Sequence, residues 1–217
     1  ARKSLMIFVL PMPIWCPIPG FCGNPGVDRA GLNLLRRSAA GWDPSTSLVD
    51  FDGISNNYYP SFSPDGQWVV FNRSAASSYD APDASVWMVR SAGGQPPVEL
   101  AQGTAGAASS WPKWAPFAQT RAGEPVYWVA FSSRRAYGLQ LAAGQRAQIW
   151  LAAVSPSRAA SGLDPSFPAL WLPFQDIATG NHIPQWVERV ERQPCTTDAA
   201  CPSGEFCDAG YCVPIIN

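Results

Sequence analysis

The sequence is poor in charged residues, has a single histidine and contains no long apolar run. Charged residues make up 14% of the chain and the formal net charge is -1, so the clustered Lys and Arg of a nucleic-acid-binding surface are missing. The longest apolar run, Leu5 to Leu10, is much shorter than the roughly 20 residues that cross a bilayer. These absences argue against a nucleic-acid partner and against a membrane span.

Common catalytic and cofactor signatures are also missing. The sequence has no G-x-S-x-G elbow, no G-x-x-x-x-G-K phosphate loop, no H-E-x-x-H and no C-x-x-C-H haem motif. A histidine-dependent triad would rest on His182 alone, and a lone His in a Gly/Pro-bounded loop is more often a turn or surface residue. We therefore expect a protein that is not itself an enzyme and needs no cofactor.

The residues that are abundant indicate an all-β fold. Aromatic residues make up 12% of the chain, beside 22 Pro and 18 Gly, and this mixture is typical of short strands joined by sharp turns. Leu5 to Leu10 is expected to be a strand. A basic pair precedes it, as in a signal peptide, but no A-x-A-like cleavage site follows, so we expect a processed or incomplete chain.

A segment of the sequence recurs. Pro60-Ser61-Phe62-Ser63-Pro64 aligns with Pro112-Lys113-Trp114-Ala115-Pro116, a spacing of 52 residues from Pro60 to Pro112. Two apolar strands are expected after each copy, listed here in chain order: 68–71 and 86–89, then 126–131 and 148–151. A looser third copy begins at Pro168. Repetition at this period is typical of β-propeller blades, each made of four short antiparallel strands.

Two turns support this interpretation. Ser63-Pro64-Asp65-Gly66 predicts a tight turn, because Pro restricts φ, Asp hydrogen-bonds to the backbone ahead of it and Gly accepts positive φ. Ala92-Gly93-Gly94-Gln95 predicts a second one, which leads to a short strand around 98–100. SPDGQWVVF, VWMVRSAGGQPPVEL, WVAFSSRR and QIWLAAV resemble the WD40-like repeats of the TolB type over about residues 57–186. That resemblance implies a β-propeller, although 117–124 departs from its short Asp-Gly turn.

The alternative fold is a β-sandwich with two similar hairpins, but the preserved order of the parts argues against it. Propellers close with typically four to eight blades, which exceeds the two or three visible here. We predict N-terminal strands and a Cys loop over 1–48, propeller blades over 49–190 and a Cys-rich module over 191–217. The missing blades, from a longer form of the chain or from another chain, are the expected partner, and an oligomer is possible.

The cysteines predict disulfides and hence an oxidising compartment. Cys195, Cys201, Cys207 and Cys212 lie in the last 23 residues, and Cys16 and Cys22 bracket PIPGF. Zinc is the alternative, but the gaps of five, five and four residues contain no His and are wider than usual for zinc ligands. The C-terminal segment resembles small Cys-rich extracellular modules. That resemblance implies the pairs Cys195 with Cys207 and Cys201 with Cys212, leaving Cys16 with Cys22.

Few residues are candidates for ligand or metal binding. Arg134, Arg135 and Tyr137 follow a strand end, where two guanidinium groups beside a phenol can hold a carboxylate or phosphate, and His182 is a further ligand candidate. Asp50 and Asp52 lie in an oxygen-rich loop that weakly resembles a calcium site but lacks its closing Glu. Solvated turn residues are the alternative for all six.

These observations predict a non-catalytic extracytoplasmic propeller segment that serves as a protein- or ligand-binding scaffold. The periplasm, the cell surface and the medium are all compatible with that prediction. Similar repeats occur beside peptidase domains and in haem-enzyme subunits, so one alternative is a domain of a larger extracytoplasmic enzyme. The other is a structural surface-assembly protein whose neighbouring chains complete each other's sheets.

Overall fold

The computed structural model describes residues 5–11, 29–78, 81–106, 108–139, 146–187, 193–208 and 210–214, with backbone alone for 5–11 and 214. It divides into two compact units, Ala1–Trp186 and Val187–Asn217. Antiparallel strands account for most of the regular structure in both. The all-β prediction is therefore confirmed.

The first sheet contains four strands: β1 (Leu5–Pro11), β2 (Ala30–Ser38), β3 (Gly41–Trp42) and β4 (Thr46–Val49). β2 is antiparallel to each of the other three. The side chains of β2 alternate between buried and half-buried from Ala30 to Leu34, as expected for a strand with one face against a core. The strand predicted at Leu5 to Leu10 is confirmed.

The second sheet is a four-stranded meander made by β5 (Asn56–Phe62), β6 (Trp68–Ser74), β7 (Ser85–Arg90) and β8 (Val98–Glu99). The predicted Ser-Pro-Asp-Gly turn joins β5 to β6, and the Gly66 N–H donates to the Ser63 carbonyl at 2.9 Å. Gly66 has φ 73°, which explains the glycine at this position. The second predicted turn joins β7 to β8.

The third sheet repeats this order with β9 (Ser109–Arg121), β10 (Glu124–Ser133), β11 (Gln148–Val154) and β12 (Leu170–Trp171). The short helices α1 (Ala101–Thr104) and α2 (Pro156–Ala160) lie in the connections before β9 and after β11. Residues 117–124, where the repeat departs from its pattern, form the tip of a long β9–β10 hairpin. Ala122 and Gly123, both with positive φ, make its turn.

The prediction that a third repeat starts at Pro168 is wrong. Leu170–Trp171 is β12, the last strand of the third sheet, and it pairs with Leu151 and Trp150 of β11. The composition of this edge strand, which lies beside aromatic side chains, is similar to that of the repeat. Its tryptophan and flanking prolines therefore match the repeat pattern. From 172 to 186 the chain returns along the same sheet: Asn181 N donates to the Ala147 carbonyl, and Trp186 Nε1 donates to the Lys113 carbonyl.

The three sheets pack in sequence order through equivalent contacts. β1 and β2 contact β5, and in the same way β5 and β6 contact β9. One apolar core joins the first and second sheets and includes Leu32, Val69 and Phe71. A larger core joins the second and third sheets. Because β6 contributes to both cores, its apolar run is continuous rather than alternating.

The C-terminal unit is a small hairpin of β13 (Glu205–Asp208) and β14 (Tyr211–Pro214), preceded by a 3-10 turn at Asp198–Ala200. Disulfides join Cys195 to Cys207 and Cys201 to Cys212, the pairing that the resemblance implies. Cys16 and Cys22 lie outside the described residues. The two disulfides indicate an oxidising environment. In the part of the chain that the structure describes, no helix is long and apolar enough to span a membrane.

Candidate functional site

Arg135, predicted as a ligand-binding residue, makes contacts within the protein. Its guanidinium lies 4.8 Å from the centre of the Trp150 ring, and its Nη2 donates to the Gly103 carbonyl at 3.0 Å. Burial lowers the pKa of Arg135 to about 10, and the group remains a cation at neutral pH. Two ring faces and one carbonyl group contact this cation, so it contributes to holding the strands together.

Of the other predicted ligand residues, Tyr137 shares a neighbour with this arginine. Tyr137 stacks on Trp171, with ring centres 4.7 Å apart, and meets Trp150 edge-on at 5.9 Å. Arg135 and Tyr137 therefore share Trp150 as a neighbour. Arg134 is half-buried, and His182 lies in an exposed loop.

Asp52 and Asp50, the weak calcium candidates, are engaged in local turns. Asp52 Oδ1 accepts the N–H groups of Ile54 and Ser55, and these bonds lower its pKa to about 2. Asp50 Oδ1 accepts from the Ser47 hydroxyl at 2.6 Å. Within the described ranges, the cluster of metal-ligand side chains consists of Cys195, Cys201 and Cys212, which are in disulfides.

An arginine over a cross-strand Phe–Trp pair occurs in both the second and the third sheet. In the third sheet Arg135 covers Phe131 and Trp150, which are directly opposite each other. In the second sheet Arg73 lies 4.4 Å from the ring of Trp87, which is opposite Phe71. This part of the repeat is not visible in the sequence, because Arg73 follows its Phe by two residues and Arg135 follows its Phe by four.

Asn72 is the polar link between the second and third sheets. The side chain is fully buried, and its Nδ2 donates to the carbonyl groups of Ser109 at 2.8 Å and Ser85 at 3.0 Å. Its Oδ1 accepts from the Trp111 N–H at 2.9 Å and from the Ser110 hydroxyl at 3.3 Å. The Asn72 amide thus aligns β9 of the third sheet against β6 of the second sheet.

A second polar contact between these sheets starts from the Ser-Pro-Asp-Gly turn. The hydroxyl of Tyr127, on β10, donates to Asp65 Oδ2 at 2.7 Å. Burial opposes ionisation of Asp65, but hydrogen bonds from Ser63, Tyr127 and the Gln67 N–H hold its pKa below the ordinary value. Burial and the same carboxylate raise the pKa of Tyr127. The turn therefore has a packing role as well as a conformational one.

Tyr59 and Trp111 form a stacked pair at equivalent positions of the two repeats, each directly before the aligned proline. The ring centres are 3.7 Å apart and the planes are 14° from parallel. The residues have φ 52° and 57°, and each lies at a register shift, in β5 and β9 respectively. Left-handed backbone costs a non-Gly residue about 1–2 kcal/mol, so both positions are strained.

The outward face of the third sheet is the face that points away from the second sheet. Its apolar pattern matches that of the face of the second sheet that is buried against the third. Met88 and Val86 in the second sheet are fully buried against the third. Their counterparts by strand pairing are Leu151 and Ile149, which remain half-exposed, as does Trp128. The face that would receive a further sheet is therefore incompletely covered by the described residues.

Ser132 occupies the same position in the third sheet as Asn72 in the second, since Ser132 pairs with Ile149 as Asn72 pairs with Val86. Asn72 bonds to the next sheet. The hydroxyl of Ser132 is buried and has no hydrogen-bond partner among the described residues. Buried polar groups are normally satisfied, so the two repeats differ at this position.

Comparisons with known proteins add no assignment to these observations. No protein-family model matches the chain, and no curated protein matches it.

Proposed function

We propose that the protein is a non-catalytic, extracytoplasmic β-propeller segment that acts as a binding scaffold. Its three sheets are successive blades, and its partner is a further set of blades, carried by a longer form of the chain or by another chain. The oxidising environment indicated by the disulfides supports a location in the periplasm, at the cell surface or in the medium.

The observation that carries this proposal is the equivalence of the contacts between sheets. The first sheet meets the second through the same strand positions by which the second meets the third. Repeat units of this kind bury their faces only against neighbours. Leu151 and Ile149 are half-exposed at the positions that form the interface in the second sheet, and the Ser132 hydroxyl has no hydrogen-bond partner among the described residues. These features support one more interface in the series.

A photo-crosslinking experiment tests the proposal. p-Benzoylphenylalanine is placed at Leu151 in the full chain, which is expressed in its source cells, irradiated and isolated with intact disulfides. We expect a covalent product of higher mass, or a crosslink to a segment outside 1–217, whose peptides come from a strand-rich repeat. Leu163, 56% exposed and beyond α2, is the control position for the same label.

Crosslinks that are confined to residues 172–187, or that are as frequent from Leu163 as from Leu151, would contradict the proposal. Crosslinks from Leu151 to a second copy of this chain would instead support the structural assembly alternative. In that case the copies complete each other's sheets.

A further inference from the structure

We propose that the tip of the β9–β10 hairpin is an arm that docks on the partner sheet that follows the third sheet in the series. The arm comprises residues 116–125. The inference rests on the proposed scaffold function, because it takes a further blade to pack beside the third sheet. It assigns to that blade a second contact, in addition to the outward face of the third sheet.

The equivalent turn of the second sheet makes a contact of this kind. It joins β5 to β6, and its Asp65 accepts a hydrogen bond at 2.7 Å from the hydroxyl of Tyr127, on β10 of the third sheet. In the third sheet the same place, between the first and second strands, is occupied by the arm. Because the sheets pack in sequence order through equivalent contacts, this place lies next to the second strand of a following sheet.

The arm is longer than that turn and is exposed. Phe62 and Phe71 are nine positions apart, whereas the equivalent Trp114 and Phe131 are 17 positions apart, so the third sheet has eight additional residues. All ten residues of the arm are exposed, and Phe117 is 44% exposed. A two-stranded hairpin without a core is marginally stable at best. A contact with a neighbouring sheet gives these residues the burial that their own sheet does not.

The arm is ordered and continues the outward face. Arg121 and Glu124 are directly opposite each other, so the strand pairing extends to the turn. Trp128 Nε1 donates to Gln119 Oε1 at 2.9 Å, and the hydroxyl of Ser157, on α2, donates to Glu124. Since Trp128 belongs to the outward face, the bond to Gln119 joins the arm to that face. An element that is already ordered loses little conformational freedom on binding.

These features identify the occupant as a sheet. The equivalent turn contacts a neighbouring sheet, and the counterparts of the outward face in the second sheet, Met88 and Val86, are buried against a sheet. A sheet that covers Leu151 and Ile149 in the same way therefore also meets the arm.

Photo-crosslinking from the arm tests the inference. p-Benzoylphenylalanine is placed at Phe117 in the full chain, which is expressed in its source cells and irradiated. We expect this label to capture the same strand-rich segment that the label at Leu151 captures, with a yield several-fold above that from Ile54. Ile54 is the control position, because it is 73% exposed and lies between the first and second sheets.

A shortened chain provides a second measurement. Replacing residues 117–126 by Asp-Gly removes eight residues, restores the spacing of the second sheet and keeps Tyr127. Because the arm is exposed, we expect Tm to change by no more than roughly 2–4 °C, as for about 1 kcal/mol in a domain of this size. The yield of the Leu151 product should fall several-fold, because the docked sheet loses one of its two contacts.

The inference is overturned by any result in which Phe117 does not capture the segment that Leu151 captures, or in which the folded, shortened chain gives the Leu151 product in unchanged yield. If the shortened chain does not fold, the label at Phe117 decides alone. A product from Leu151 without one from Phe117 overturns this inference and leaves the scaffold proposal standing. The absence of a product from both positions overturns both.

Discussion

Asn72→Ala is expected to destabilise the first unit by about 4 kcal/mol, because it removes the hydrogen bonds that a fully buried amide makes to three backbone groups, at about 1–3 kcal/mol each. The backbone groups affected are the Trp111 N–H and the Ser109 and Ser85 carbonyls, which all bond to the Asn72 amide. In a protein of this size the loss lowers Tm by roughly 10 °C. Urea unfolding followed by tryptophan fluorescence measures the change.

Asn33→Ala is the matched control, since Asn33 lies in β2 and is half-buried. We expect its effect to stay below about 1 kcal/mol, as for most substitutions without a buried network. Asn72→Asp keeps an acceptor for the Trp111 N–H but buries a carboxylate against the Ser109 and Ser85 carbonyls, so at neutral pH it should destabilise the unit at least as much as Asn72→Ala does. Equal stability of Asn72→Ala and Asn33→Ala would show that Asn72 does not join the sheets.

The second large effect is expected from Cys201→Ser combined with Cys212→Ser, which removes one of the two disulfides of the C-terminal unit. The hairpin of this unit is small, so its crosslinks rather than a core hold it together. Loss of a native disulfide from a small domain typically costs about 2–5 kcal/mol and often abolishes its folding. We expect residues 193–214 to unfold while the sheets remain folded.

The position of the tryptophans makes this result easy to read. All ten precede residue 187, so their fluorescence reports the first unit alone. Hydrogen exchange with mass spectrometry then reports the C-terminal unit. Rapid exchange over 205–214 with unchanged fluorescence is the expected result. Full protection of β13 and β14 in the variant, or concurrent loss of tryptophan structure, would contradict the account.

The sequence was sufficient to predict most of the second sheet. β6 and β7 were visible as apolar runs, and the turns at Gly66 and Gly93 carried their own residue signatures. The strand order of the third sheet was also predictable, because the second copy preserved the order of its parts. These features depend on residues that are close in the chain, which is why a single sequence was enough.

The misplaced third repeat and the candidate site illustrate what a sequence leaves open. Trp171 and its flanking prolines match the repeat, and only pairing with Trp150 shows that they end a sheet. Two adjacent arginines, Arg134 and Arg135, are typical of an anion-binding site. The Trp150 ring that contacts the Arg135 guanidinium is 15 positions away in the sequence, so the residues next to Arg135 do not reveal this contact. The Tyr59–Trp111 stack joins residues 52 positions apart. Its only sequence signal was an aromatic residue before each aligned proline.

The second and third sheets share one apolar core, and the Asp65–Tyr127 hydrogen bond joins one sheet to the other. A double-mutant cycle with Asp65→Ala and Tyr127→Phe measures it directly. At pH 7 we predict a coupling energy of about 1–2 kcal/mol, as expected for a hydrogen bond to a charged group. The pKa of Asp65 is lowered in the folded state. Its contribution is therefore present above its unfolded pKa and is lost as the pH falls through its folded one. Additive single effects at neutral pH would contradict direct packing of the second sheet against the third.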